Sequence, residues 1–261
     1  MTRDLGDSPD YAVPALEKAL DILDLLASRR EGLTQNQIGE AVGRSASQIF
    51  RTLAVLEQRG YLHRERPAGL YYLSMQLFEM AHRHPPTRGL IQIAIPIMRR
   101  LAETARQSCN LGVFDFGRMM VIAEAESSAP FGFRVRVGGH FAMLGAASGR
   151  ALLAFQNDVV LRDWLALSDA ATMPANERAP LLARLPAIRE RGFEQTSDGL
   201  HAGVTDLAFP ILALKRGAAI ERGIAVLTIP YVATSYSELP LEKVIDLAGA
   251  AAADISAALR G

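Results

Sequence analysis

Arg44, Ser45, Ser47, Gln48 and Arg51 are the residues whose types and spacing most plainly suit chemistry with another molecule. At about 100° per helical residue, Arg44, Ser47, Gln48, Arg51 and Gln58 share one side of a helix, and that side carries no carboxylate. Arginine pairs bidentately with guanine and glutamine with adenine in a DNA major groove, while serine reaches phosphates or bases. Ile49, Leu53 and Leu56 fall on the opposite stripe, which must be buried.

The elements that hold this face are written around it. Thr34 and Gln37 make a T-x-x-Q capping box, which satisfies orphan N–H groups at a helix start. Leu33, Ile38, Ala41 and Val42 give that helix an apolar side, and Gly43 stands where a left-handed terminus is wanted. Ser45 and Gln48 form a second box and open the second helix, so the spacing predicts a helix-turn-helix. Tyr61–Arg64 and Leu70–Leu73 read as two short strands about a Pro-Ala-Gly turn, a wing with Arg64 and Arg66 near its tip. A polar helix face by itself is commonly just solvated. Two capping boxes, the glycine turn and the basic hairpin together favour DNA.

The 261-residue chain has a formal net charge of zero, which excludes a general nucleic-acid sponge. Charge is local: five arginines between positions 44 and 66 face only Glu57 and Glu65. Cys109 is the sole cysteine, so neither an intramolecular disulfide nor a multi-cysteine zinc site is possible. His82 and His84 lie two apart in a polar stretch and are read as solvated. There is no nucleophile elbow, Walker loop, H-E-x-x-H or dinucleotide fingerprint. Glu124 and Glu126 are a possible acid–base pair, but strand edges carry such pairs routinely. No catalytic residue, metal or cofactor is assigned. The polar start of the chain lacks a signal-peptide core, and no apolar run reaches the ~18–20 residues a membrane span needs, so a cytoplasmic protein without membrane partners is expected.

Length favours about two domains. Residues 1–12 read as a disordered arm, residues 13–74 as the winged helix-turn-helix, 75–89 as a linker and 90–261 as a second domain. Ala15–Ser28 is a helix apolar over most of its circumference, so it needs cover on more than one side. That cover is either a partner subunit or its own domain. Pro85-Pro86 and Gly89 break the pattern of the helix expected after the wing. Beyond them, helices are expected at 90–107, 147–156, 159–167, 180–191 and 241–259. Strands are expected at 110–116, 119–125, 131–137, 205–211 and 223–229. Strands and helices alternating without a strict βαβ rhythm suggest an α/β or α+β sensor-like domain with an antiparallel sheet.

The second domain offers apolar surface with isolated polar groups. Phe131, Phe133 and Phe141 bracket a glycine-rich segment, and Ala147 and Ser148 open a helix. Small residues there leave N–H groups free for a carboxylate, which the helix dipole favours. Asp206 lies in an otherwise apolar strand and suits the solvent face as well as a pocket.

Taken together, ALEKALDILDLLA, GLTQNQIGEAVGRSASQIFRTLAVLEQRGYL, ASGRALLAF, IRERGFEQT and GVTDLAFPI occur in an order that resembles the IclR family of bacterial transcriptional regulators. The resemblance runs from Val13 to about Leu259. It implies a two-domain α+β chain: a winged helix-turn-helix, a linker helix and a GAF-like effector-binding domain. It also implies homodimers or homotetramers on double-stranded operator DNA, often controlling catabolism of aromatic or other small organic acids. Carried over residue by residue, the effector pocket comprises Phe133, Phe141, Ala147, Ser148, Thr196, Val204 and Asp206. The last strand adds Leu227, Thr228 or Ile229. Asp206 stands where relatives often have cysteine, LTIPY replaces a serine-rich strand, and Arg150 replaces the usual lysine. With Phe133, Phe141 and Tyr231 at its rim, the pocket suits an aromatic or larger apolar-bodied acid. The alternative class is a small-molecule enzyme carrying an accessory winged helix.

Overall fold

Capping and apolar spacing delimit the first helices. The computed structural model describes residues 13–83, 85–197, 203–213, 222–233 and 239–260; the expected arm at 1–12 and His84 lie outside them. Two compact units divide between Pro85 and Pro86.

The first unit contains α1 (Pro14–Ala27), α2 (Gln35–Ala41), α3 (Ala46–Gln58), β1 (Leu62–Glu65), β2 (Leu70–Leu73) and α4 (Gln76–Arg83). Both capping boxes form. Gln37 Oε1 accepts from Thr34 N at 2.9 Å, Gln48 Oε1 accepts from Ser45 N at 2.9 Å, and each cap hydroxyl accepts in return. Gly43 has φ +66°, the left-handed conformation that lets the chain turn between α2 and α3. Ile22 and Leu26 of α1, Ile38 of α2, Ile49, Leu53 and Leu56 of α3, and Leu62 and Tyr71 of the hairpin close one core. The hairpin is antiparallel, pairing Leu62 with Leu73 and Glu65 with Leu70.

The second unit opens within α5 (Pro85–Ala105), five residues before the expected start at Leu90. Proline breaks a helix by lacking an N–H, but the first helical positions have no intrahelical acceptor to satisfy. Of the residues read as a linker, 76–83 therefore belong to α4 and 85–89 to the start of α5.

After α5 come β3 (Cys109–Asp115), β4 (Arg118–Ala125), β5 (His140–Ala142), α6 (Ala147–Ala154), α7 (Asp158–Ala166) and a 3₁₀ turn at Asp169–Ala171. Then follow α8 (Ala175–Ala183), α9 (Leu185–Arg191), β6 (Glu194–Thr196), β7 (Val204–Ala213), β8 (Arg222–Val232) and α10 (Leu241–Ala258). The strands form one antiparallel sheet in the order β5-β4-β3-β8-β7-β6. One face packs on α5 and α10 through residues such as Leu111, Leu207, Leu227 and Ile229. The other face packs on α6 and its neighbours through Met119, Ala208 and Val226.

Three readings need correction. Residues 131–137 alternate as a strand should but form no strand; β5 takes the place beside β4, at His140–Ala142. Alternation is necessary for a half-buried strand, but a strand also needs a backbone partner, and here only Gly138 and Gly139 bond to Val121. The helix expected at 180–191 is two helices, with Pro180 inside α8. The short edge strand at Glu194–Thr196 was not anticipated.

Candidate nucleic-acid interface and ligand pocket

On α3, burial divides the helix as its spacing requires. Ile49, Leu53 and Leu56 are buried, while Ser45, Ser47, Gln48 and Arg51 are exposed. Arg44 differs: it is half-buried, and its Nε has no hydrogen-bond partner among the described residues. Gln48 spends Oε1 on its capping box. Only its amide N–H₂ remains for a base unless the cap opens, which places the weight of direct reading on Arg51. Phe50, 55% exposed, flanks the same face and was not singled out from the sequence. In the hairpin, Arg64 and Arg66 are exposed, and the Arg64 guanidinium lies 5.3 Å over the Tyr71 ring.

In the second unit, a cavity of about 400 Å³ opens on the sheet face that carries α6. It gathers Phe133, Phe141, Ala147, Ser148, Thr196, Asp206 and Thr228, seven of the eight expected pocket residues. Val204 is not in its lining. The strand register settles the open choice in β8: Thr228 and Pro230 face the cavity, whereas Leu227 and Ile229 are buried in the core on the other face. Tyr231, read as part of the rim, also points into that core, because side chains alternate across a strand. Phe131 is 63% exposed and stands outside the lining.

The helix end at the cavity is open. Ala146 occupies the N-cap of α6 and provides no side-chain hydrogen bond, so the first N–H groups keep their capacity for an anion. The preceding loop is fixed from two sides. Asp169 accepts from the N–H groups of Met143, Leu144 and Gly145 at 2.9, 3.1 and 3.1 Å. Arg150 Nη1 donates to the carbonyls of Leu144 and Gly145 at 3.0 and 2.9 Å. Gly149 is required by space, since a Cβ there would lie 2.0 Å from the Met143 carbonyl oxygen.

Four arginines, Arg134, Arg136, Arg150 and Arg184, stand in the lining against one carboxylate, Asp206. Glu194, fully buried, lies 3.0 Å from Arg150 Nε and 2.9 Å from Arg184 Nη2, with Arg191 at 3.4 Å. Arg134 lies 2.9 Å from Glu124 and 3.3 Å from Glu126, so the carboxylate pair noted in the sequence holds an arginine. The sequence reading missed Asn110, Arg134, Arg136, Arg184 and Glu194 as parts of the site. Asn110 and Glu194 come from strands, Arg134 and Arg136 from the segment before β5 and Arg184 from the end of α8, so tertiary packing brings them there and no local motif marks them.

Among the described residues no group of three or more His, Cys, Asp or Glu could hold a metal ion. No helix among them is long and apolar enough to cross a membrane.

Comparison with known proteins agrees with this architecture. Residues 15–66 match the IclR helix-turn-helix domain, and residues 86–257 match the bacterial transcriptional regulator IclR C-terminal domain. The HTH-type transcriptional regulator KdgR of Escherichia coli is 27% identical over 97% of this chain and 95% of its own. BhcR of Paracoccus denitrificans is 28% identical over 82% of this chain and 78% of its own. Among solved structures, an IclR homolog from Microbacterium hydrocarbonoxydans complexed with 4-hydroxybenzoate superposes with a TM-score of 0.72 at 22% identity, covering 94% of this chain and 98% of that one. The Thermotoga maritima IclR gives 0.73 at 23% identity over 94% and 98%. Both likenesses speak to the fold. With both of its units matched, the chain belongs to the IclR family of DNA-binding bacterial transcriptional regulators.

Proposed function

We propose that this regulator answers to a small organic acid bound in the second unit, and that the acid alters its hold on operator DNA. The observation that carries the reading is the cavity beside the uncapped start of α6, whose lining includes four arginines, three of them paired with Glu124, Glu126 or Glu194. Such a helix end, next to guanidinium groups, favours a carboxylate. Phe133 and Phe141 supply an apolar wall that suits an aromatic or bulky acid. The binding of 4-hydroxybenzoate by the Microbacterium homolog is consistent with that class. A catabolic operon for such an acid is the corresponding target.

On DNA, Arg51 reads bases, Gln48 assists through its amide, and Arg44, Ser45 and Ser47 support the approach. Arg64 and Arg66 hold the backbone from the wing. Leu16 and Leu20 of α1 are 56% and 52% exposed, while Ile22 and Leu26 on the same helix are buried. This second apolar side supports assembly into homodimers or homotetramers. A cytoplasmic location goes with these partners.

Ala147, 3% exposed and in the cavity lining, provides the test. Ala147→Leu should fill the site and abolish the response of operator binding to acids in a mobility-shift titration. DNA binding itself should persist, because the helix-turn-helix belongs to the other unit. An effector response at ordinary acid concentration in this variant would refute the pocket assignment.

A further inference from the structure

The cavity floor carries polar groups that the helix-end carboxylate site leaves unused. Thr196 of β6, Asp206 of β7, Thr228 of β8 and Asn110 of β3 all reach the cavity face of the sheet. The register sets Thr196 opposite Asp206, and Thr228 opposite Asn110, with Ala208 on the other side of Thr228. Asn110 is 6% exposed and Thr228 8%. Thr228 Oγ1 is buried with no hydrogen-bond partner among the described residues.

Gln156 Oε1, also buried without a partner among the described residues, lies outside the cavity lining, and its amide N–H₂ holds the Leu152 and Gly223 carbonyls; other buried polar side chains of this unit are tied down. Gln107 bonds both backbone groups of Val232, and Ser256 bonds Leu212 and Ala252. An unpaired buried hydroxyl is costly, and valine would fill the same space on a strand without it. A threonine kept at the floor of a ligand cavity, facing an asparagine, points to a group delivered by the ligand.

We infer that Asn110 and Thr228 form a second polar subsite that binds a hydroxyl group carried by the effector away from its carboxylate. The inference rests on reading the cavity as the effector site. Both side chains are neutral, and each can donate and accept, so together they match a hydroxyl in either orientation. Asp206 lies on the same floor, opposite Pro230, the next residue of β8 to face the cavity after Thr228. Its charge disfavours a second carboxylate there. The effector class is then a hydroxylated organic acid, held by its carboxylate at α6 and by its hydroxyl on the sheet.

Calorimetric titration of the full chain tests this, using benzoate and its monohydroxy isomers, and butyrate with 3-hydroxybutyrate. At least one hydroxylated acid should bind about tenfold or more tighter than its parent, the worth of one satisfied buried hydrogen bond. Thr228→Val should abolish most of that preference, the hydroxylated acid losing far more affinity than its parent. The ligand-free variant should melt no lower than the wild type. A preference that survives in Thr228→Val overturns the subsite, as does a clear drop in its ligand-free melting temperature, which would reveal a structural partner. Equal binding of parent and hydroxylated acids by the wild type removes the subsite but leaves the effector reading standing. Failure of every acid to bind removes both.

Discussion

Glu194 is a fully buried carboxylate of the second unit that faces three arginines, and Glu194→Gln isolates its charge. The carboxylate is fully buried and faces Arg150, whose side chain is 4% exposed, at 3.0 Å. Arg184 and Arg191 approach the other oxygen with side chains 38% and 44% exposed. Glutamine keeps the shape and one accepting oxygen but leaves the Arg150 charge buried without a counter-charge. Breaking a buried pair from one side costs about 3–5 kcal/mol. The bonds from Arg150 to the Leu144 and Gly145 carbonyls persist, so about 3 kcal/mol is expected. For a unit of this size that corresponds to a melting temperature lower by about 6–12 °C. Arg184→Ala, which removes a partly exposed partner, should cost no more than about 1 kcal/mol. Removing both buried charges together, as Arg150→Met with Glu194→Leu, should recover part of the loss, because the charges left without a partner, Arg184 and Arg191, reach solvent. Thermal melting of the three variants against wild type decides the matter. A Glu194→Gln protein melting within about 2 °C of wild type, under 1 kcal/mol on the same scale, would show that Arg150 does not rely on Glu194.

Other consequences can be measured separately. Arg51→Ala should cost about 1–3 kcal/mol at the cognate operator and relax specificity at one position, whereas Arg64→Ala should weaken all sequences alike and lower the salt slope by about one unit; equal losses on cognate and random DNA for both would contradict the division. Light scattering at micromolar concentration should give a dimer or larger, with Leu16→Glu and Leu20→Glu shifting it toward monomer; a monomeric wild type would end that proposal. Burial, with a smaller contribution from the charge of Glu124, pushes the Cys109 thiol up to about 12. Cys109 should therefore resist thiol reagents at pH 8 until the protein unfolds. Because its folded pKa is raised, the stability tied to the protonated thiol is whole below the ordinary thiol value of 9.0 and is lost as pH climbs toward about 12. Rapid labelling of the native protein at pH 8 would contradict this.

Much of the first unit is local and could be read directly. A capping box needs residues three apart, and the amphipathic stripe of α3 needs only helical spacing, so Thr34, Ser45, Gly43 and the buried Ile49, Leu53 and Leu56 announce themselves. The order of motifs along the chain likewise carries the resemblance to the family. Most of the pocket followed from that resemblance, residue by residue. What the sequence by itself could not determine depends on pairing between distant strands. The choice among Leu227, Thr228 and Ile229 is a one-residue register question, and such a shift turns every side chain to the other face. Only the antiparallel match of β8 with β3 and β7 decided it, sending Thr228 into the cavity and Tyr231 into the core. The pairing of β5 with β4 left the alternating run at 131–137 without a strand partner. The tertiary fold of the unit as a whole brought Asn110, Glu194 and the arginines to one place from segments far apart in the chain. Their roles are set by neighbours that tertiary contact alone supplies.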